Sequence, residues 1–405
     1  MAMLRLPLAL GLLVLALAAF GPGTAQAQCG EEEDGELAFQ SSGKLLVGVC
    51  GTKQRAAVLR IDRAGKLDTT FAEDGSLGPW PSNTSPHFAT TAGGKFLVEM
   101  RLGLGRKHHR VVLRRFSPDG KLDRSFATGN AVVPTNPHES SIAGLIRVFN
   151  QPGGTSVVAY YGSFDGCFGS FCAERTYFIR LFRYSATGKR IGEAQYYTEY
   201  WDLNGIAMAP DGGLIVTGED SEYETDTYLR TWPNLKSRVH KDFKEEDGPF
   251  GPLAPGPGNT FYAGGNPVMR YQVGGAVDRS FGDGGAVLCE GEGSYSSALR
   301  SLGPRGLLAV GAEGPCGLIE FRPGGSLNPA FGPRGSGMVN LEALHLIPSR
   351  YRLESVAVGP SGEIAISFRY EEEPVLKILC FSRRGWLETG FGEGGVVTIR
   401  DFRPA

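Results

Sequence analysis

Charge of a single sign is missing from this sequence: 41 Lys and Arg stand against 43 Asp and Glu, a formal net charge of −2 over 405 residues. Such a balance removes the non-specific attraction on which binding to nucleic acid or an anionic membrane rests. Catalytic signatures are missing too. The chain has no Gly-x-Ser-x-Gly elbow, His-Glu-x-x-His pair, phosphate loop or dinucleotide fingerprint, so the commonest hydrolase, metalloprotease, nucleotidase and dehydrogenase sites have no sequence support. The seven cysteines include no Cys-x-x-Cys pair, which argues against a redox couple or a common zinc site. No stretch of about 10–15 residues keeps a 3.6-residue apolar period, which excludes helical repeats. Beyond the N-terminus no apolar run is long enough to cross a bilayer.

Glycine is abundant, at 59 residues, about twice its ordinary share. The glycines recur beside short apolar runs, as in a chain of many strands and tight turns. The N-terminus reads differently. Arg5 gives a positive start, Leu6 to Phe20 is apolar apart from Pro7 and Gly11, and Ala25-Gln26-Ala27 has the small-x-small pattern of a cleavage site. Residues 1–27 are therefore expected to be a signal peptide, cleaved before Gln28, and residues 28–405 a single exported domain. Secreted, periplasmic and cell-surface fates all stay open. Export permits disulfides. Cys167 with Cys172, Cys289 with Cys316, and Cys29 with Cys50 are candidate pairs on spacing, although spacing does not fix connectivity. Cys380 lies in an apolar run and is expected to be a buried free thiol.

Internal repetition is the strongest pattern. LRIDRAGKLDTTF (59–71), LRRFSPDGKLDRSF (113–126), MRYQVGGAVDRSFGDGG (269–285), IEFRPGGSLNPAFG (319–332) and LCFSRRGWLETGFGEGG (379–395) are copies of one unit. Their final phenylalanines, Phe71, Phe126, Phe281, Phe331 and Phe391, stand 55, 155, 50 and 60 residues apart. The long gap holds two weaker copies, FRYSATGKRIGEAQY (182–196) and RTWPNLKSRVHKDF (230–243). A turn and a short apolar strand precede each copy, which makes seven units of about 50 residues.

These motifs resemble the delta-60 repeat family of bacterial exported proteins, over nearly the whole mature chain. The resemblance implies a propeller-like β structure and supplies no catalytic residues to transfer. The physics leads to the same place. A unit of three or four short strands cannot bury both faces alone; stacking the units and closing a ring buries them. The expected fold is all-β, a single β-propeller of seven blades and a monomer. The repeated phenylalanine is expected to wedge between blades. The preceding acid (Asp68, Asp123 and Asp278, replaced by Asn328 and Glu388) is expected to cap a turn through backbone N–H groups. The last strand, Gly395 to Ile399, is expected to complete the first blade and latch the ring.

Two clusters are candidate sites. Glu219, Asp220, Glu222, Glu224 and Asp226 offer hard oxygens to calcium, though in no known loop spacing; the alternative is a solvated loop. Tyr196, Tyr197, Tyr200 and Trp201, with Glu199 and Asp202 between them, offer a glycan-stacking surface or simple packing between blades. The functional reading that results is a non-catalytic binding scaffold for a protein or glycan of the cell envelope. The alternative is a propeller glycoside hydrolase or lyase whose acids and histidines converge at the axis.

Overall fold

The computed structural model describes residues 35–51, 55–82, 85–91, 93–102, 110–133, 146–168, 171–198, 201–220, 225–244, 251–288, 296–311, 317–346, 351–370 and 375–400. They build a seven-bladed β-propeller. Each blade is a four-stranded antiparallel sheet whose strands follow one another in chain order. At six of the seven seams first strands touch first strands of neighbouring blades, and that of blade 7 (Tyr351–Val358) touches that of blade 1 (Leu37–Phe39). The first strands thus surround the axis and the ring is closed.

The second strands are mostly apolar because both of their faces are covered. Every residue of Leu307–Gly311 in blade 6 is buried. The core accordingly divides into seven clusters, each shared by two adjacent blades. The repeat phenylalanines lie in these seams. Phe71 is buried between blades 1 and 2, Phe126 between 2 and 3, Phe281 between 5 and 6, Phe331 between 6 and 7, and Phe391 between 7 and 1.

The residue after each phenylalanine locks the seam. Ala72, Ala127, Gly282, Gly332 and Gly392 all have left-handed φ, and each donates its N–H to a turn carbonyl of the next blade: Asp119, Thr187, Gly324, Arg384 and Ala64, at 2.7–2.9 Å. The receiving turn must come close. A Cβ on Gly325 would lie 2.3 Å from the nitrogen of Gly282, so only glycine fits there.

An arginine clamp supports the lock in three blades. Arg60, Arg115 and Arg270 stand on third strands, eight residues before Asp68, Asp123 and Asp278. Each Nε donates to the aspartate (2.8, 2.9 and 2.7 Å). Each Nη2 donates to Thr70, Ser125 or Ser280. Each Nη1 reaches a carbonyl of the next blade: Pro118, Ala186 or Pro323. The guanidinium also lies over the phenylalanine ring, 4.7–4.9 Å from its centroid, a cation–π contact. The other carboxylate oxygen accepts the backbone N–H two residues on. Burial alone would raise the Asp68 and Asp278 carboxyls. Hydrogen bonds from Lys44 and Thr70, or from Ser280, together with the arginine charge, outweigh it and hold both low. Hydrogen bonds from Lys95 and Ser125 do the same for Asp123. In blade 6 the chemistry is exchanged: Glu320 replaces the arginine, Asn328 donates to it, and Arg305 donates to Glu320 at 2.7 Å.

Two expectations need correction. The strand Val396–Arg400 pairs with Val375–Phe381 inside blade 7, and blade 1 has four strands of its own. Among the described residues no strand is exchanged at closure. Leu37 instead donates its N–H to Ser355 Oγ (3.1 Å), Ser367 Oγ donates to the Gly35 carbonyl (2.7 Å), and the apolar side chains of blades 7 and 1 merge. The weak copies in blades 3 and 4 also differ. Their outer strands, Arg190–Thr198 and Ser237–Lys244, continue the hairpin directly from the turn, so the turn that carries the wedge in other blades is absent from both.

Candidate functional site

The inner strands are related by register, which allows their positions to be compared blade by blade. Leu37, Phe88, Val148, Ile206, Leu253, Leu299 and Val356 are equivalent, each paired with the corresponding residue of its second strand. The position before them holds Glu36, His87 and Arg147 in blades 1, 2 and 3, and Ser355 in blade 7; blades 4, 5 and 6 have Gly205, Pro252 and Ala298 there. A polar arc therefore runs around one side of the axis. It lies at the end where inner strands begin, since Glu36 immediately precedes its strand and His87 starts its own.

The arc is internally connected. Glu36 Oε2 lies 2.9 Å from His87 Nδ1 and accepts the N–H of Phe88 at 3.2 Å. A carboxylate oxygen only accepts, so the Nδ1 carries its hydrogen in this pair. His87 is buried, and its cross-strand partner Glu99 is buried as well.

The position after the reference residue is alanine in five blades (Ala38, Ala89, Ala207, Ala254 and Ala357) and Phe149 in blade 3. Blade 6 puts Arg300 in this place. Its Nε donates to the Val356 carbonyl of blade 7 at 2.7 Å and its Nη1 to its own neighbour's Leu299 carbonyl at 2.8 Å. Burial, aided by the charge of Arg147 and opposed by that of Glu36, lowers the guanidinium to about 10. It remains cationic at neutral pH. Arg147 and Arg300 come from blades on opposite sides of the ring. Aligning the seven inner strands would have exposed Arg300 as the one charge in an otherwise apolar column; the signal lies in strands too short to attract notice individually.

The residues singled out from sequence are distributed otherwise. Glu219 and Asp220 end the second strand of blade 4 and Asp226 lies on its third; Glu222 and Glu224 are outside the described residues. Register puts Asp202, Glu219 and Asp226 in one cross-strand row. Among the described residues no group of three or more metal-binding side chains is assembled. Tyr196 packs in the seam between blades 3 and 4 and donates its hydroxyl to the Leu235 carbonyl at 2.7 Å. Tyr197 is on the outer strand of blade 3, Trp201 on the inner strand of blade 4, and Tyr200 is outside the described residues. Cys167 and Cys172 are directly opposed in the hairpin of blade 3. Cys50 is on the second strand of blade 1. Cys29, Cys289, Cys316 and the whole expected signal peptide lie outside the described residues. Cys380 is a buried free thiol, pushed up to about 12 by burial and by Glu388 and Glu363. A separate apolar groove of about 330 Å³ lies at the seam of blades 5 and 6, among Leu288, Leu327, Phe321 and Met338.

Comparison with known families agrees with the architecture. A beta-propeller domain of unknown function, DUF5122, matches residues 40–71. No curated relative matches the chain. Prolyl oligopeptidase B from Galerina marginata superposes with a TM-score of 0.50 at 9% identity, over 91% of this chain and 51% of that one. A glucose dehydrogenase gives a TM-score of 0.38 at 14% identity, over 72% and 97% of the two chains. A polysaccharide lyase, an ulvan lyase, gives 0.41 at 10% identity, over 73% and 80%. At 9% identity the likeness to the prolyl oligopeptidase is one of fold alone.

Proposed function

We propose that this chain is an exported, non-catalytic β-propeller that holds a protein or glycan of the cell envelope at the end of the ring where the axial polar arc opens. One observation carries the reading: elaboration is confined to that end. The opposite end carries the tight turns that lock the seams. The hairpin of blade 3 grows towards the arc end, with strands of 13 and 14 residues (Ser156–Phe168 and Phe171–Tyr184). The second and third strands of the other blades have four to seven. A ring fixed at one end and varied at the other suits recognition on a rigid scaffold.

An axial enzyme is the second reading, favoured by the Glu36–His87 pair, in which a carboxylate orients an imidazole as in general-base sites. Incubation of the mature chain, starting at Gln28, with a panel of polysaccharides separates the two. The scaffold reading expects retention of a ligand without bond cleavage. Turnover that is abolished in His87→Gln would establish the enzyme reading instead.

A further inference from the structure

We infer that the axis at Arg300 is a binding site for an oxyanion, the carboxylate or sulfate group of a ligand small enough to enter the ring. The inference rests on the binding reading above and assigns the chemistry of what is bound. Arg300 breaks a column that is alanine in five of seven blades. A long cationic side chain at this position is costly to bury, and the one tie it makes to the next blade, Nε to the Val356 carbonyl, is one that the alanine-bearing blades do without. Residues that break a rule their repeats keep concentrate at functional sites.

The contacts of Arg300 leave its charge available. Both of its protein hydrogen bonds go to backbone carbonyls, Val356 and Leu299. Among the described residues no carboxylate lies within ion-pair distance of it. The guanidinium is enclosed by blades 6 and 7, yet the residue is still touched by solvent. Carbonyl contacts on Nε and Nη1 fix the plane of the group and leave Nη2 and the second hydrogen of Nη1 as the remaining donors. A planar, pre-oriented guanidinium of this kind is the side chain best fitted to a carboxylate or sulfate. Arg147, from the opposite side of the ring, adds positive charge that is felt at Arg300. Glu36, the acid of the same region, is held by His87 and the N–H of Phe88.

The test is calorimetric titration of the mature chain with sodium glucuronate, sodium sulfate and glucose at constant low ionic strength. Glucuronate is expected to bind and glucose not to bind. Binding of sulfate as well would identify a free oxyanion as sufficient; binding of glucuronate alone would identify an acidic sugar. Arg300→Leu should weaken binding about 30-fold or more, with Arg300→Lys intermediate. Equal heats for glucuronate and glucose, or no heat from either anion with the folded wild-type chain, overturns the inference without needing any variant to fold. It would leave the scaffold reading standing, since a partner bound on the long hairpins does not require the axis.

Discussion

At the scale of single residues, the fold depends on a polar unit inside an apolar seam. The clamp of Arg270 joins Asp278, Ser280 and the next blade's Pro323 while covering Phe281. Arg270→Met should destabilise the chain by about 3–5 kcal/mol, because it leaves a largely buried carboxylate without its partner. Chemical denaturation would measure this; a loss below about 1 kcal/mol would reduce the clamp to a surface ion pair. The pH dependence has a definite sign. Asp68, Asp123 and Asp278 are all held below the ordinary carboxylate range, so the folded state binds fewer protons than the unfolded one. Their contribution is complete above the unfolded value of about 4 and is lost as pH falls through the lower folded values. Asp278→Asn should flatten the acid limb of a stability–pH curve and lower the neutral plateau. An unchanged acid limb would show that Asp278 is not among the groups that set it.

At the scale of the element, the decisive feature is the turn that follows each phenylalanine. Its left-handed residue is glycine in blades 5, 6 and 7 but alanine in blades 1 and 2. Alanine in that region costs about 1–2 kcal/mol, so Ala127→Gly should raise the melting temperature. Gly325→Ala should lower it, since its Cβ would meet the backbone of Gly282. If both variants melted like the wild type, close backbone approach would not be what fixes the seam. The repeat made these turns readable. A phenylalanine three residues after Asp68, Asp123, Asp278, Asn328 or Glu388 recurs often enough in the sequence that the strand, the turn and the next seam can be placed from it. The clamp arginine was less visible, because Arg60, Arg115 and Arg270 stand among apolar strand residues and blades 6 and 7 replace them with Glu320 and Cys380. Blades 3 and 4 misled for a physical reason. Tyr196 and Phe243 fall near the expected spacing, but their strands run straight on, so similar spacing does not reproduce the wedge turn.

At the scale of the whole molecule, seven blades and an all-β ring were legible because burying two faces of small sheets leaves few alternatives. The manner of closure was not. A terminal strand after the last motif has the same composition whether it pairs in blade 7 or blade 1, and only the presence of Leu37–Phe39 as a fourth strand in blade 1 decides it. The axial arc was equally hidden, since Glu36, His87, Arg147 and Arg300 are distant in sequence and meet only when the ring is closed. The molecule thus has a turn-locked end and an elaborated end, and the central claim is that recognition belongs to the second. The most direct test is lysine cross-linking of the mature chain in an envelope extract of its host, with the linked residues mapped by mass spectrometry. Partner cross-links are expected at Lys53 and Lys107, which fall in sequence between second and third strands and outside the described residues. Partner cross-links concentrated on the exposed turn lysines Lys66, Lys121, Lys189 and Lys236 would put the binding surface at the wrong end and contradict the account.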